Sequence, residues 1–231
     1  MSLCMVVMHR KQKKMNDTVS FFKENKYVFV KNVMEPDECQ EIMDTFFDMS
    51  KKGEVPPDSM CPLSESKYRG FDKWSLKKQS IFEEALGLTL YPTYSFARIY
   101  RPDERLNFHV DRPSCEITTS ITIGFLGEKV WPIYVLEKDE SAIHLQPYLQ
   151  HIQTPGVDGY DGSYEIGKTF HNKIKCDVPV GDAVVFRGNE IFHWRDKYVE
   201  GAWQVQLFLH YVDANGPHAE WKYDKQGSLN I

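Results

Sequence analysis

The sequence is poor in cysteine and has no local way to pair it. Its five thiols, Cys4, Cys39, Cys61, Cys115 and Cys176, are odd in number, scattered and without a C-x-x-C pair. That excludes a disulfide framework and a structural zinc site of the usual spacing, and it suits a reducing, intracellular and cytoplasmic setting. No apolar run is long enough to span a bilayer. The opening "MSLCMVVMHRKQKK" sets a short apolar run ahead of its basic residues, the reverse of a secretory signal. Positive charge is not in excess either: 28 Lys and Arg stand against 33 Asp and Glu, for a formal net charge of −5. Nothing therefore draws the chain generally to phosphate backbones: the expected partner is a small molecule or a peptide, nucleic acid is not the default partner, and no membrane is expected. No internal repeat is visible.

What the chain does have is apolar and aromatic material, at 42% and 13% of its 231 residues, enough for a full core and for one domain over residues 1–231. "NDTVSFFKENK" reads as a short helix and "YVFVKNV" as a strand. After Pro36, Cys39, Ile42, Met43, Phe46 and Phe47 recur at helical spacing, with acids early and Lys51, Lys52 and Gly53 at the end, as in a capped amphipathic helix. Residues 54–70, rich in Pro and Ser, read as a loop, and "WSLKKQSIFEEALGL" as a second amphipathic helix. From Tyr91 onward the pattern turns to short strands: "TYSFARIY", "EITTSITIGFL", "KVWPIYVLE", "HNKIKCDVPV", "DAVVFRG", "IFHWRD" and "AWQVQLFLHYV". Helices followed by many strands imply an α+β, mainly β domain: a helical and strand lead-in over 17–90 and a β core over 91–213. Residues 138–168, with their Gly and Asp, read as a long surface loop inserted in that core, or as a substrate-selecting lid carrying Tyr160 and Tyr164.

The stretch "YRPDERLNFHVDRPSCE" places His109 and Asp111 two apart, on one face of a strand. A His-x-acid pair alone is weak, and His218-Ala219-Glu220 is read as a chance instance. His193, after a Gly-Asp turn and an apolar strand, offers a third ligand. Two imidazoles and one carboxylate on one face of an ion leave about three positions open, the arrangement suited to Fe(II) and oxygen chemistry.

Taken together, Tyr100, Leu106, His109 and Asp111, the run Gly181 to Phe186, and His193 give the chain a sequence that resembles the Fe(II)- and 2-oxoglutarate-dependent dioxygenases, in particular their prolyl-hydroxylase-like branch. The resemblance covers roughly Tyr91 to Asp213. It implies a double-stranded β-helix (jelly roll) braced by the N-terminal helices, with iron held by His109, Asp111 and His193 near one mouth. It implies Tyr100 as a hydrogen-bond partner of 2-oxoglutarate, O2 as co-reactant and ascorbate as an optional reductant. The activity implied is hydroxylation of a C–H bond in a peptide residue, amino acid or small metabolite, with succinate and CO2 as co-products. An intact Asp111 argues against a halogenase.

The family also leads one to expect a cation about ten residues beyond the distal histidine, where this chain has Gly201-Ala202-Trp203. A buried dicarboxylate without a cation would be uncompensated at a cost of several kcal/mol. Arg98, on the face of Tyr100, is the first candidate to replace it, with Arg187 and Arg195 as alternatives. Arg112 and Glu116 are expected to pair across the turn after Asp111, and Trp131, Phe125 and Tyr134 to be core. Gln204, Gln206 and His210 alternate along the last strand, either lining the pocket or facing solvent. Two other classes stay open beside the hydroxylase: a nucleic-acid oxidative dealkylase and a non-catalytic β-sandwich ligand-binding module.

Overall fold

The computed structural model describes residues 16–137, 171–199 and 201–231. Cys4, the basic "RKQKK" and the 138–168 insertion with Tyr160 and Tyr164 lie outside the described residues. The helices are α1 (16–25), α2 (Pro36–Lys51) and α3 (Asp72–Leu86). Two antiparallel sheets follow. The larger has the order β1 (Tyr27–Val30), β8 (Ala183–Phe186), β5 (Ile117–Gly127), β10 (Gly201–Asp213), β3 (Leu90–Tyr100), β2 (Glu65–Tyr68). The smaller runs β4 (Leu106–His109), β9 (His193–Arg195), β6 (Ile133–Leu136), β7 (Lys173–Cys176).

Strand alternation assigns the two faces of the larger sheet to different tasks. Ala97, Ile99, Ile117, Ile121, Ile123, Val205, Leu207 and Leu209 join Cys39, Ile42 and Phe46 of α2 and Trp74, Phe82 and Leu86 of α3 in one apolar cluster. The residues between them turn the other way: Arg98 and Tyr100 on β3, Thr118, Ser120 and Thr122 on β5, Gln204, Gln206 and His210 on β10. These are buried as well, Gln204 at 0% and Gln206 at 1% exposure. They line the space between the sheets, so the solvent-facing alternative for the β10 row is excluded. The sheet is covered on both faces, and its inner face mixes this polar row with apolar contacts to the smaller sheet, such as Val184 and Phe186 against Ile133 and Val135.

The structure differs from the sequence reading between residues 54 and 70, and at Asp111, which the alternation places on a strand but which lies beyond the end of β4. Residues 54–70 are not all loop: Glu65–Tyr68 form the edge strand β2, paired with Phe96–Ile99 of β3. "ESKY" carries no apolar alternation, since an edge strand is selected by its ladder partner more than by its own pattern.

Helices α2 and α3 are joined by a charged knot. Glu38, at 8% exposure, receives Lys78 at 2.5 Å and Lys77 at 2.7 Å, while also accepting from the Glu35 backbone as a capping box. Burial of the carboxyl would raise its pKa, but the hydrogen bonds from the two lysines overcome that and bring it to about 2. The folded value lies below the unfolded one, so this stabilisation is whole above an unfolded pKa near 4.5 and is lost as pH falls toward 2. Glu38→Gln is expected to destabilise the protein at pH 7 by about 1–3 kcal/mol and to flatten the fall in stability between pH 5 and pH 2. Denaturant melts across that range check both.

Candidate metal centre

The site begins with one ladder contact. Strands β4 and β9 pair antiparallel with His109 opposite His193, and their rings lie 4.2 Å apart, centroid to centroid. Each imidazole is turned by its own strand: Nδ1 of His109 is 2.7 Å from the carbonyl of Asn107, and Nδ1 of His193 is 3.0 Å from that of Ile191. A carbonyl only accepts, so Nδ1 carries the proton in both rings and Nε2 presents a lone pair. Those lone pairs face Oδ1 of Asp111 at 3.5 Å and 3.6 Å.

Asp111 lies just past the end of β4. Its backbone N–H donates to the Gly188 carbonyl at 2.8 Å, and its Oδ2 accepts from the Thr118 hydroxyl at 2.6 Å. Burial lowers the pKa of His109, which favours its neutral ring. Three electron-pair donors thus converge with no proton between them, at separations too long for hydrogen bonds. A cation at the usual ligand distance of about 2.0–2.2 Å would bridge such a gap. His109, Asp111 and His193 are 12%, 15% and 4% exposed, a site recessed but open on one side.

Gly188 is a position beside the candidate site that the sequence reading missed. A Cβ there would stand 2.3 Å from Asp111 Oδ2 and 2.4 Å from Thr118 Oγ1. Thr118 was missed too, though the row Thr118, Ser120, Thr122 inside an apolar strand signals a polar interior.

The expected arginines separate by their partners. Arg98 does face Tyr100, donating to its hydroxyl at 3.1 Å, but its Nη2 is ion-paired with Asp58 at 2.6 Å. It is therefore not the free cation expected: an acid from the 54–70 segment already compensates it. Arg187 pairs with Glu116 at 2.8 Å, which also corrects the expected Arg112–Glu116 pair. Arg112 instead grips both oxygens of Asp224, at 2.9 Å and 2.8 Å. Arg195 is the exception. At 1% exposure it donates to the Trp131 carbonyl at 2.5 Å and to Ser120 Oγ at 3.4 Å, leaves Nε without a partner, and meets no carboxylate among the described residues. Its guanidinium lies 5.3 Å from the Tyr100 ring. Trp203 points away, packing edge-on to Phe47 at 5.1 Å, and the lumen-facing position beside it on β10 is Gln204, opposite Tyr100. Gln204 is held by the Trp131 backbone, to which it donates at 3.0 Å and from which it accepts at 2.7 Å. Trp131 is core as expected; Phe125 and Tyr134 are only partly buried.

No protein-family model matches the sequence, and no curated protein is significantly similar to it. Solved structures do match, over most of the chain and at low identity. The 2-oxoglutarate-dependent carbocyclase SnoK of nogalamycin biosynthesis is 12% identical, with 86% of this chain and 83% of that one covered and a TM-score of 0.61. HygX from Streptomyces hygroscopicus, solved with nickel, 2-oxoglutarate and hygromycin B, is 9% identical, with coverage of 86% and 87% and a TM-score of 0.62. A prolyl hydroxylase from Trichoplax adhaerens, bound to a hypoxia inducible factor peptide, is 11% identical, with 96% of each chain covered and a TM-score of 0.60. The chain has the fold shared by these non-haem iron, 2-oxoglutarate-dependent enzymes.

Gly188→Ala should push the Asp111 carboxylate out of line and weaken divalent metal binding by at least about tenfold. Isothermal titration with Co(II) checks this, and unchanged affinity would show that the carboxylate is free to move.

Proposed function

We propose that this protein is an Fe(II)- and 2-oxoglutarate-dependent oxygenase that hydroxylates a C–H bond of a peptide residue, amino acid or small metabolite. The observation that carries the reading is the convergence of Nε2 of His109, Nε2 of His193 and Oδ1 of Asp111 at one mouth of a two-sheet core. A non-catalytic binding module has no reason to aim three unprotonated acceptors at one point, since without a cation they repel. The sheets form the double-stranded β-helix of this class, with the helices bracing the larger sheet from outside.

In this reading the three residues hold the iron, and Arg195 anchors the far carboxylate of the cosubstrate. His193 and Arg195 alternate on β9 and so stand roughly 6.6 Å apart along the strand, a span that a five-carbon dicarboxylate bridges. Tyr100 and Ser120 border the same place. The unmatched guanidinium of Arg195 is the counterpart of a missing anion, because a buried arginine without a carboxylate is costly unless a ligand brings one. Iron and 2-oxoglutarate, when bound, supply the oxidant: substrate C–H, O2 and 2-oxoglutarate become C–OH, succinate and CO2. The protein's share is to orient the ligands, exclude water through the Tyr100, Leu106, Trp131, Tyr198 and Phe208 cluster, and present the substrate at the open side.

Two experiments test this. Anaerobic addition of Fe(II) and 2-oxoglutarate should produce a visible charge-transfer band that is lost in His109→Ala, Asp111→Ala and His193→Ala; a variant that keeps the band removes its residue from the site. Titrating that band with 2-oxoglutarate in Arg195→Ala should raise the half-saturating concentration by roughly ten- to a hundredfold, as loss of about 1.5–3 kcal/mol of charge-assisted hydrogen bonding requires. Iron affinity should hardly change, and Arg195→Lys should recover only part of the loss because it lacks the planar fork. Arg187→Ala is expected to leave the titration unchanged, and a defect in Arg98→Ala alone would move the anchor to Arg98. Succinate release over a panel of peptides, free amino acids and small metabolites then identifies the substrate class.

A further inference from the structure

We propose that Thr118 and His210 form a hydrogen-bonded relay that fixes Asp111 as a one-oxygen ligand, making both of them positioning residues of the metal centre. The inference rests on the metal reading above and names the groups that set the geometry of its carboxylate. The Thr118 hydroxyl touches three groups: Asp111 Oδ2 at 2.6 Å, the Cys115 carbonyl at 3.2 Å and His210 Nδ1 at 3.2 Å. It has a single proton to give. The carboxylate and the carbonyl only accept, and the shorter, charge-assisted contact to Asp111 takes the proton. Of the two contacts that remain, the one to His210 is a hydrogen bond only if His210 donates from Nδ1 to the hydroxyl oxygen. The direction of the relay follows: His210 Nδ1–H to Thr118 Oγ1–H to Asp111 Oδ2.

Its consequence is at the other oxygen. With Oδ2 held by Thr118 and closed in by Gly188, only Oδ1 faces His109 and His193. A carboxylate free to rotate could place both oxygens on an ion and consume a position that the reaction needs open. His210 is itself held in place. Its ring lies 4.6 Å from that of Tyr94, whose opposite contacts are the Arg112 guanidinium at 4.7 Å and the Tyr68 ring at 5.0 Å. Thr118 is 2% exposed and His210 6%, so water does not compete for the relay. Asp111, Cys115 and His210 also lie close enough to suggest a second metal cluster. The Thr118 hydroxyl and the 2.9 Å contact between Cys115 Sγ and the Tyr94 hydroxyl satisfy that group without an ion.

The test is a Co(II) titration of the 231-residue chain, read both by affinity and by the visible d–d spectrum. Thr118→Val, of nearly equal volume, should weaken Co(II) binding about ten- to a hundredfold and change the spectrum, whereas Thr118→Ser should restore both. His210→Ala should weaken binding by a smaller factor, and His210→Asn, which keeps an N–H near the Nδ1 position, should recover it. The double variant Thr118→Val with His210→Ala should be no worse than Thr118→Val alone, since His210 acts only through the hydroxyl. Wild-type affinity and spectrum in Thr118→Val would overturn the relay, as would additive losses in the double variant. A shift in the melting temperature of the metal-free protein with an unaltered Co(II) spectrum would show a merely structural role and overturn it too. Failure of the wild type to bind Co(II), or binding indifferent to Asp111→Ala, would instead bring down the metal reading itself.

Discussion

The pairing of β4 with β9 is the contact on which the rest of the site depends. It sets His109 opposite His193 and, three residues back on β4 but two on along β9 across a register irregularity, Leu106 opposite Arg195. A one-residue slip would turn one imidazole out of the lumen and carry Arg195 with it, because strand side chains alternate faces. Asp111 need only be held just beyond the strand end, and the Gly188 carbonyl and the Thr118 hydroxyl do that. The ladder places the two candidate histidine ligands, and the loop between β8 and β9, with Thr118 of β5, secures the candidate carboxylate.

Charge inside the lumen is balanced unevenly. Arg98 and Arg195 approach Tyr100 from two strands, yet among the described residues only Arg98 has an acid, Asp58. Buried guanidinium groups normally come paired, and removing a partner from such a pair leaves a costly charge. Among the described residues, Arg195 thus stands beside a buried tyrosine with no carboxylate to balance it. The polar row from Thr118 to Thr122 and from Gln204 to His210 then has a reason to be buried: its members bond one another, as Gln206 does with Ser120 and Thr122.

The outer parts of the molecule reinforce this arrangement. Around the mouth, the C-terminal segment bends through Tyr223, Asp224 and Lys225, all at positive φ of 54°, 56° and 59°, a backbone state that costs non-glycine residues of order 1 kcal/mol or more each. The bend delivers the Asp224 carboxylate to Arg112 and, at 2.6 Å, to the Tyr68 hydroxyl. Arg112 is the residue after Asp111, so the strained segment clasps the chain beside a candidate ligand. Arg69 adds a second clasp through Gln226 and Asp72.

Much was legible from the sequence because it is local. The spacing of Cys39, Ile42 and Phe46 marks α2, the short apolar runs mark most strands, and the H-x-D pair with a histidine after an apolar strand marks the candidate ligands, since period and spacing are properties of neighbouring residues. Tertiary structure decided what depends on distant partners. Asp58 neutralises Arg98 from forty residues away in the chain, whereas Arg195 meets no carboxylate among the described residues. Glu65–Tyr68 become a strand only because β3 offers them an edge. Gln204 faces the lumen and Trp203 the helices because β10 is covered on both sides, where hydrophobic alternation no longer tells the inner face from the outer. Gly188 and Thr118 matter through contacts with Asp111 that no short window of sequence contains, for the identity of a residue states what bonds it can make and only the packed chain states with whom.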